Sequence, residues 1–261
     1  MDTRIRIESG GQVAFAVTMA GFGVMGLAKG AFTQIWAGVP RGLPGRVALA
    51  YLIAFVSLGA GIGLLVRRTA GVSSRALLVS FLVWLLLFRA PLVFKAPLTT
   101  VSWWSCGETA VMLAAAWVLY VWFAGDRGPA FAAGGKGLRI ARTLYGLGLI
   151  PFGIAHFTYL DRTVSMVPRW LPWHLAWAYF TGASLIVAGV AVVAGVFARL
   201  AAVLSAWEMG LFTLLVWGPV VVAGPSADDW AEIVVSWALT AAAWVVADSY
   251  RRVPWLALRA Q

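Results

Sequence analysis

The chain has 261 residues, of which 62% are hydrophobic and only 11% charged, and its mean hydropathy is +0.87. A soluble domain of this size needs about 25% charged residues to cover its surface, so a water-facing globule is excluded and the outer surface must meet hydrocarbon. The net charge of +10 does not point to nucleic acid, because the basic residues occupy short gaps between apolar runs, as in a membrane protein.

Taken in order, Met1–Gly11 carries Arg4 and Arg6 ahead of the first apolar run. No small-x-small cleavage site follows, so a retained first span is expected rather than a signal peptide. A helix needs about 20 apolar residues to cross a bilayer. Eight runs reach or approach that length, at about 12–31, 47–66, 76–94, 102–124, 140–158, 175–197, 199–222 and 230–249. The longest gap, 125–139, is rich in Gly and basic residues. It predicts a first unit over 1–124, a cytoplasmic linker over 125–139 and a second unit over 140–261.

The two units resemble each other. Val39–Gly63 and Val167–Ala191 are identical at 10 of 25 positions without a gap, where chance in such a composition gives roughly 2 or 3. The shared string is Val-Pro-Arg-x-Leu-Pro, at Val39–Pro44 and Val167–Pro172. Gly21–Lys29 aligns with Gly148–His156, Pro91 with Pro219, and Ala114–Val118 with Ala241–Val245. Four spans return the chain to its starting side, so the repeats are parallel about an axis along the membrane normal. The expected fold is all-α: a polytopic membrane bundle of eight transmembrane helices built as two parallel four-helix repeats.

Charge sets the expected orientation. The tail, the second, fourth and sixth gaps and the C-terminus together hold 13 of the 20 Lys and Arg. Both termini should therefore be cytoplasmic, in a bacterial-type inner membrane, with both proline loops outward. Eight of the 15 Trp fall near the outer interface, where an aromatic belt accounts for them.

Ionisable groups inside spans are costly and often functional. Glu108 and Arg89 lie at similar depths in neighbouring spans, so an ion pair between them is expected. Glu208 sits mid-span with no basic residue within a turn, which favours a neutral, hydrogen-bonding carboxyl that lines a cavity or joins helices. The repeat equivalents of Glu208 and Glu108 are Ser80 and Val235, so the carboxyls are placed differently in the two units, as one asymmetric site between them would require. His156 ends the fifth span where Lys29 ends the first, and can carry a proton or contact a ligand. His174, Trp170, Arg169 and Tyr179 cluster at the second proline loop, where Arg169 can meet an anionic headgroup or an acidic substrate. One cysteine, Cys106, and two histidines exclude a disulfide and any multi-cysteine or multi-histidine metal site, so neither metal nor haem is expected.

The strings Gly153-Ile154-Ala155-His156-Phe157, Met166-Val167-Pro168-x-Trp170-Leu171-Pro172 and Tyr179-Phe180-x-Gly182 resemble the DoxX-like family of four-helix membrane proteins. The likeness covers about 145–220, with a fainter copy over 20–95. It implies small bundles, some tied to quinone-linked oxidation of sulfur compounds or to redox assemblies. Two readings follow. In the first, the protein is a quinone-associated membrane subunit in which Glu208, His156 and Glu108 handle protons, with a partner subunit carrying electrons. In the second, it is a non-catalytic module that binds a lipid or terpenoid or scaffolds a membrane complex. A transporter is a third possibility, weakened by the lack of matched polar sites.

Overall fold

The computed structural model describes residues 7–124, 129 and 131–259, and its regular structure is helical. Among the described residues nine helices follow in order: α1 Gly10–Lys29, α2 Arg46–Leu64, α3 Ala70–Lys95, α4 Thr100–Ala124, α5 Gly134–Thr158, α6 Leu160–Met166, α7 His174–Ala194, α8 Ala198–Ala223 and α9 Ala227–Asp248. All but α6 are long and apolar enough to cross a membrane. Apolar side chains such as Leu52, Phe55, Ile62, Val72, Leu87, Val187 and Leu214 cover the outer surface. The molecule is an integral membrane protein in contact with lipid.

The helices form two five-membered rings that share a pair. One ring is α1, α2, α3, α4 and α9; the other is α5, α7, α8, α9 and α4. The first helix of each repeat thus packs against the fourth helix of the other repeat. On the shared pair, Ala114-Ala115-Ala116 and Ala241-Ala242-Ala243 are all buried. Small side chains let two backbones approach where no hydrophobic effect drives them together. α4 is consequently the most enclosed span, and α3 and α8 are the most lipid-exposed.

Element boundaries recur at a fixed offset. α3 begins at Ala70 and α8 at Ala198, and each carries one five-residue π-helical turn, at Leu85–Arg89 and Thr213–Trp217. Each π turn is followed by a segment with proline at its second position, Pro91 or Pro219. A proline donates no N–H, so the ladder shifts register just ahead of it.

Two expectations change. Gly134–Arg139, read as linker, forms the start of α5; the linker residues 125–128 and 130 lie outside the described residues. Lys136 and Arg139 dilute the hydropathy there without breaking the helix. The gap after α5 also holds α6, which composition does not announce.

The helix ends on the side of α1's start and α9's end are tied by arginines. Arg142 lies 3.8 Å over the Tyr250 ring and donates through Nε to Ser249 Oγ at 3.0 Å, with a second donation to the Ser249 carbonyl. Burial pushes the Tyr250 phenol up to about 12, partly offset by the Arg142 charge. Arg251 reaches Asp248 at 3.7 Å, and the other carboxylate oxygen of Asp248 accepts from the Gly11 N–H at 3.3 Å.

Candidate functional site

The second ring is not filled. A cavity of about 310 Å³ lies inside it toward the end that carries α6, at the small end of the ~300–1,000 Å³ range of small-molecule sites. The alanine triplets of α4 and α9 lie beyond its lining. One turn or more toward the opposite end the same helices carry larger and polar side chains: Trp104 and Glu108 on α4, Glu232 and Ser236 on α9. α8 adds Glu208, Met209, Phe212 and Trp217; α5 adds Phe152 and His156; Leu185 of α7 and Thr163, Arg162 and Met166 of α6 complete the wall.

Close helix contacts set these side chains in place. A Cβ added at Gly153 would stand 2.4 Å from the Gly182 carbonyl, and one at Gly182 would stand 2.8 Å from His156 Cβ. α5 and α7 can pack this tightly only because both positions are glycine, and that contact turns His156 inward. Its Nδ1 lies 2.8 Å from the Phe152 carbonyl. A carbonyl only accepts, so Nδ1 carries a proton and donates; in the neutral ring this leaves Nε2 as the acceptor. The imidazole meets Phe212 edge-on, with ring centroids 6.4 Å apart.

Glu208 is held by Ser184 of α7, whose Oγ lies 2.8 Å and 2.7 Å from its two carboxyl oxygens. The same Oγ is 2.9 Å from the Thr181 carbonyl. One hydroxyl proton faces three acceptors. Ser184 donates to the carboxyl and shares its proton with the Thr181 carbonyl; a proton on Glu208 would let the carboxyl donate in return and free Ser184 to serve Thr181. Nearby, Thr213 Oγ1 lies 2.7 Å from Ser236 Oγ and 3.0 Å from Thr240 Oγ1, a hydroxyl chain linking α8 to α9 beside the cavity.

The structure therefore brings together Glu108, His156 and Glu208. It does not bring Arg89 to them. Among the described residues, Arg89 and Glu108 form no direct ion pair. The π turn ending at Arg89 adds a residue to the helix and rotates the following face by about 100°. The guanidinium instead sits beneath the α1–α2 loop, where a Cβ at Gly38 would lie 3.3 Å from its terminal nitrogen; Gly38 has φ +96°. Buried Arg89 Nε has no hydrogen-bond partner.

The proline-loop residues also lie outside the cavity wall. Arg169 is exposed, and so is Trp170 (69%). Tyr179 stacks on Phe157 at 5.8 Å toward the outside of the bundle. His174 opens α7, with its Nε2 buried and unpartnered. Sequence reasoning missed Glu232 and Arg162. A carboxyl one turn into a span is the signal that could have found the first; the second needed α6.

No three His, Cys, Asp or Glu among the described residues stand close enough to hold one metal ion, so the acidic groups are spread along the wall rather than focused on a point. The chain matches no family model, no curated protein and no solved structure.

Proposed function

We propose that the cavity binds a lipid-soluble, quinone-type ligand and that the protein is the membrane subunit of a redox-linked assembly. The observation that carries this reading is the convergence of Glu108, His156 and Glu208 in one apolar cavity with aromatic walls, Phe152, Phe212, Trp104 and Trp217. Flat rings pack well against such walls, and a few placed polar groups fix their orientation. Glu208 and the bare Nε2 of His156 would exchange protons with the head-group oxygens by general acid–base chemistry. A partner subunit would carry the electrons.

The DoxX-like resemblance of the second proline loop supports the redox assignment. The offset shared by the π turns supports treating 1–124 and 140–261 as two copies of one unit. The charge distribution supports cytoplasmic termini in a bacterial-type inner membrane, with the cavity opening on the outer side.

The test is equilibrium binding of a short-tailed quinone to the full chain in nanodiscs. The expected result is one site per chain, weakened at least tenfold by Glu208→Leu. No binding, or equal affinity in the variant, overturns the reading. A lipid- or terpenoid-binding scaffold is the second reading, favoured by the aliphatic part of the wall, Leu185, Val235 and Leu239. Recovery of a stoichiometric ligand without a quinone ring would select it.

A further inference from the structure

The two rings treat equivalent interiors differently. In the first, the loop after α1 dips inward as a single turn, Gln34–Trp36, and packs against α9. Its last residue fills the ring: Trp36 is 1% exposed, stacked on Phe81 at 4.4 Å and 11°, and set edge-on to Trp84 at 5.1 Å. Its one donor, the indole N–H, reaches Ser57 Oγ at 3.1 Å. The first half is thus a filled version of the site, with a bicyclic ring supplied by the chain itself.

In the second half the corresponding loop is coiled into α6, which packs on α5 and α7. The repeat register places Trp36 opposite Thr163 and Val164, Phe81 opposite Met209, and Trp84 opposite Phe212. Thr163, Met209 and Phe212 all line the cavity. The space the indole occupies in one ring is open in the other; its edge-on aromatic partner is kept as Phe212, and the face it stacks on, Phe81, becomes the softer Met209.

The polar groups around that space also change in kind. Ser80 is replaced by Glu208, while the acceptor Ser57 becomes Leu185. Glu108, Glu232 and His156 add acceptor atoms around the ring position, and Arg162 at the mouth is the one basic Lys or Arg side chain in the lining. Resting on the reading of this cavity as a ligand site, we infer that it takes a planar two-ring group in the place of Trp36, and that this group carries O–H or N–H donors facing Glu208. A hydroquinone and an aromatic amine share that chemistry.

The experiment is calorimetric titration, under anaerobic conditions, of the full chain in nanodiscs. The probes are a methyl-naphthohydroquinone, its oxidised quinone and 1-naphthylamine. The donor-bearing hydroquinone should bind at least tenfold more tightly than the quinone, and Glu208→Leu, which removes the acceptor, should reduce that ratio below about threefold. Thr163→Trp, which places an indole on the wall opposite Phe212, should abolish binding of all three; Leu185→Phe gives the same readout should that variant not fold. Whichever donor binds more tightly, hydroquinone or amine, identifies the source. Equal binding of hydroquinone and quinone would overturn the donor assignment while leaving the cavity reading intact. Retention of only a ring-free lipid, displaced by Thr163→Trp, would overturn the ring assignment and again spare the cavity. Unchanged ring binding in both filling variants would overturn the location itself.

Discussion

Removing the Ser184 hydroxyl tests the core of the site most sharply. In Ser184→Ala, Glu208 loses its hydrogen-bond partner without any change in packing volume larger than one atom. The two contacts of 2.7 and 2.8 Å belong to a single oxygen, so one hydrogen bond is lost rather than two. A helix–helix hydrogen bond in a membrane is worth about 0.6 kcal/mol on average and up to about 1.7. A carboxylate left charged and unpaired in the interior would instead cost about 3–5 kcal/mol. With no basic residue within a turn to pair with it, Glu208 is expected to be neutral in the apolar interior. The account therefore predicts a coupling of about 0.5–1.5 kcal/mol in a double-mutant cycle of Ser184→Ala with Glu208→Leu, read by reversible unfolding in mixed micelles. A coupling near zero would show that the two groups do not touch. One of 3 kcal/mol or more would show that Glu208 is charged, and the proton assignment would fail.

Three further outcomes are expected. Trp36→Gly should destabilise the first ring by about 3–5 kcal/mol, as large buried aromatics do when truncated; free indole should restore part of the lost melting temperature, and no rescue would mean that the vacated space collapses. Gly182→Val should cost about 1–3 kcal/mol by forcing α5 and α7 apart, and ligand affinity should fall with it because His156 shares that contact; unchanged stability in a thermal melt would contradict the packing described. In a Cys106→Ala background, Gly42→Cys and Trp170→Cys should both react with a membrane-impermeant maleimide from the same side of sealed cells, whereas reaction from opposite sides would refute parallel repeats.

The spans were legible because 20 apolar residues make a long signal. The seventh run, read as 199–222, is Ala198–Ala223. The third was read from 76 but begins at Ala70, because Ser73, Ser74 and Arg75 lower the local hydropathy; yet Ser73 and Ser74 are buried, and Ser74 Oγ donates to the Gly71 carbonyl at 3.0 Å. Serine can satisfy itself on its own helix, so it is a poor marker of either solvent or site. The same property hid Ser184, whose Oγ also reaches the Thr181 carbonyl of its own helix.

Glu108, Glu208 and His156 stood out as polar atoms within apolar sequence, and all three line one cavity. What the sequence could not supply was helix facing. Adjacent spans and matched depths suggested an Arg89–Glu108 pair, but a single π turn, invisible as a residue pattern, turns Arg89 toward Gly38 instead. The repeat was legible at Pro40 and Pro168, whereas its consequence was not. One copy of the loop buries a tryptophan and the other winds into α6, a divergence at Trp36 that only the packing reveals.

The most direct measurement of the central claim is native mass spectrometry of the intact protein released from nanodiscs after mild purification. The account predicts one bound molecule per chain on the unmodified protein, a ring-bearing lipid-soluble compound, absent from Thr163→Trp. A protein that flies without any adduct, or a Thr163→Trp variant carrying the same molecule at the same occupancy, would contradict it.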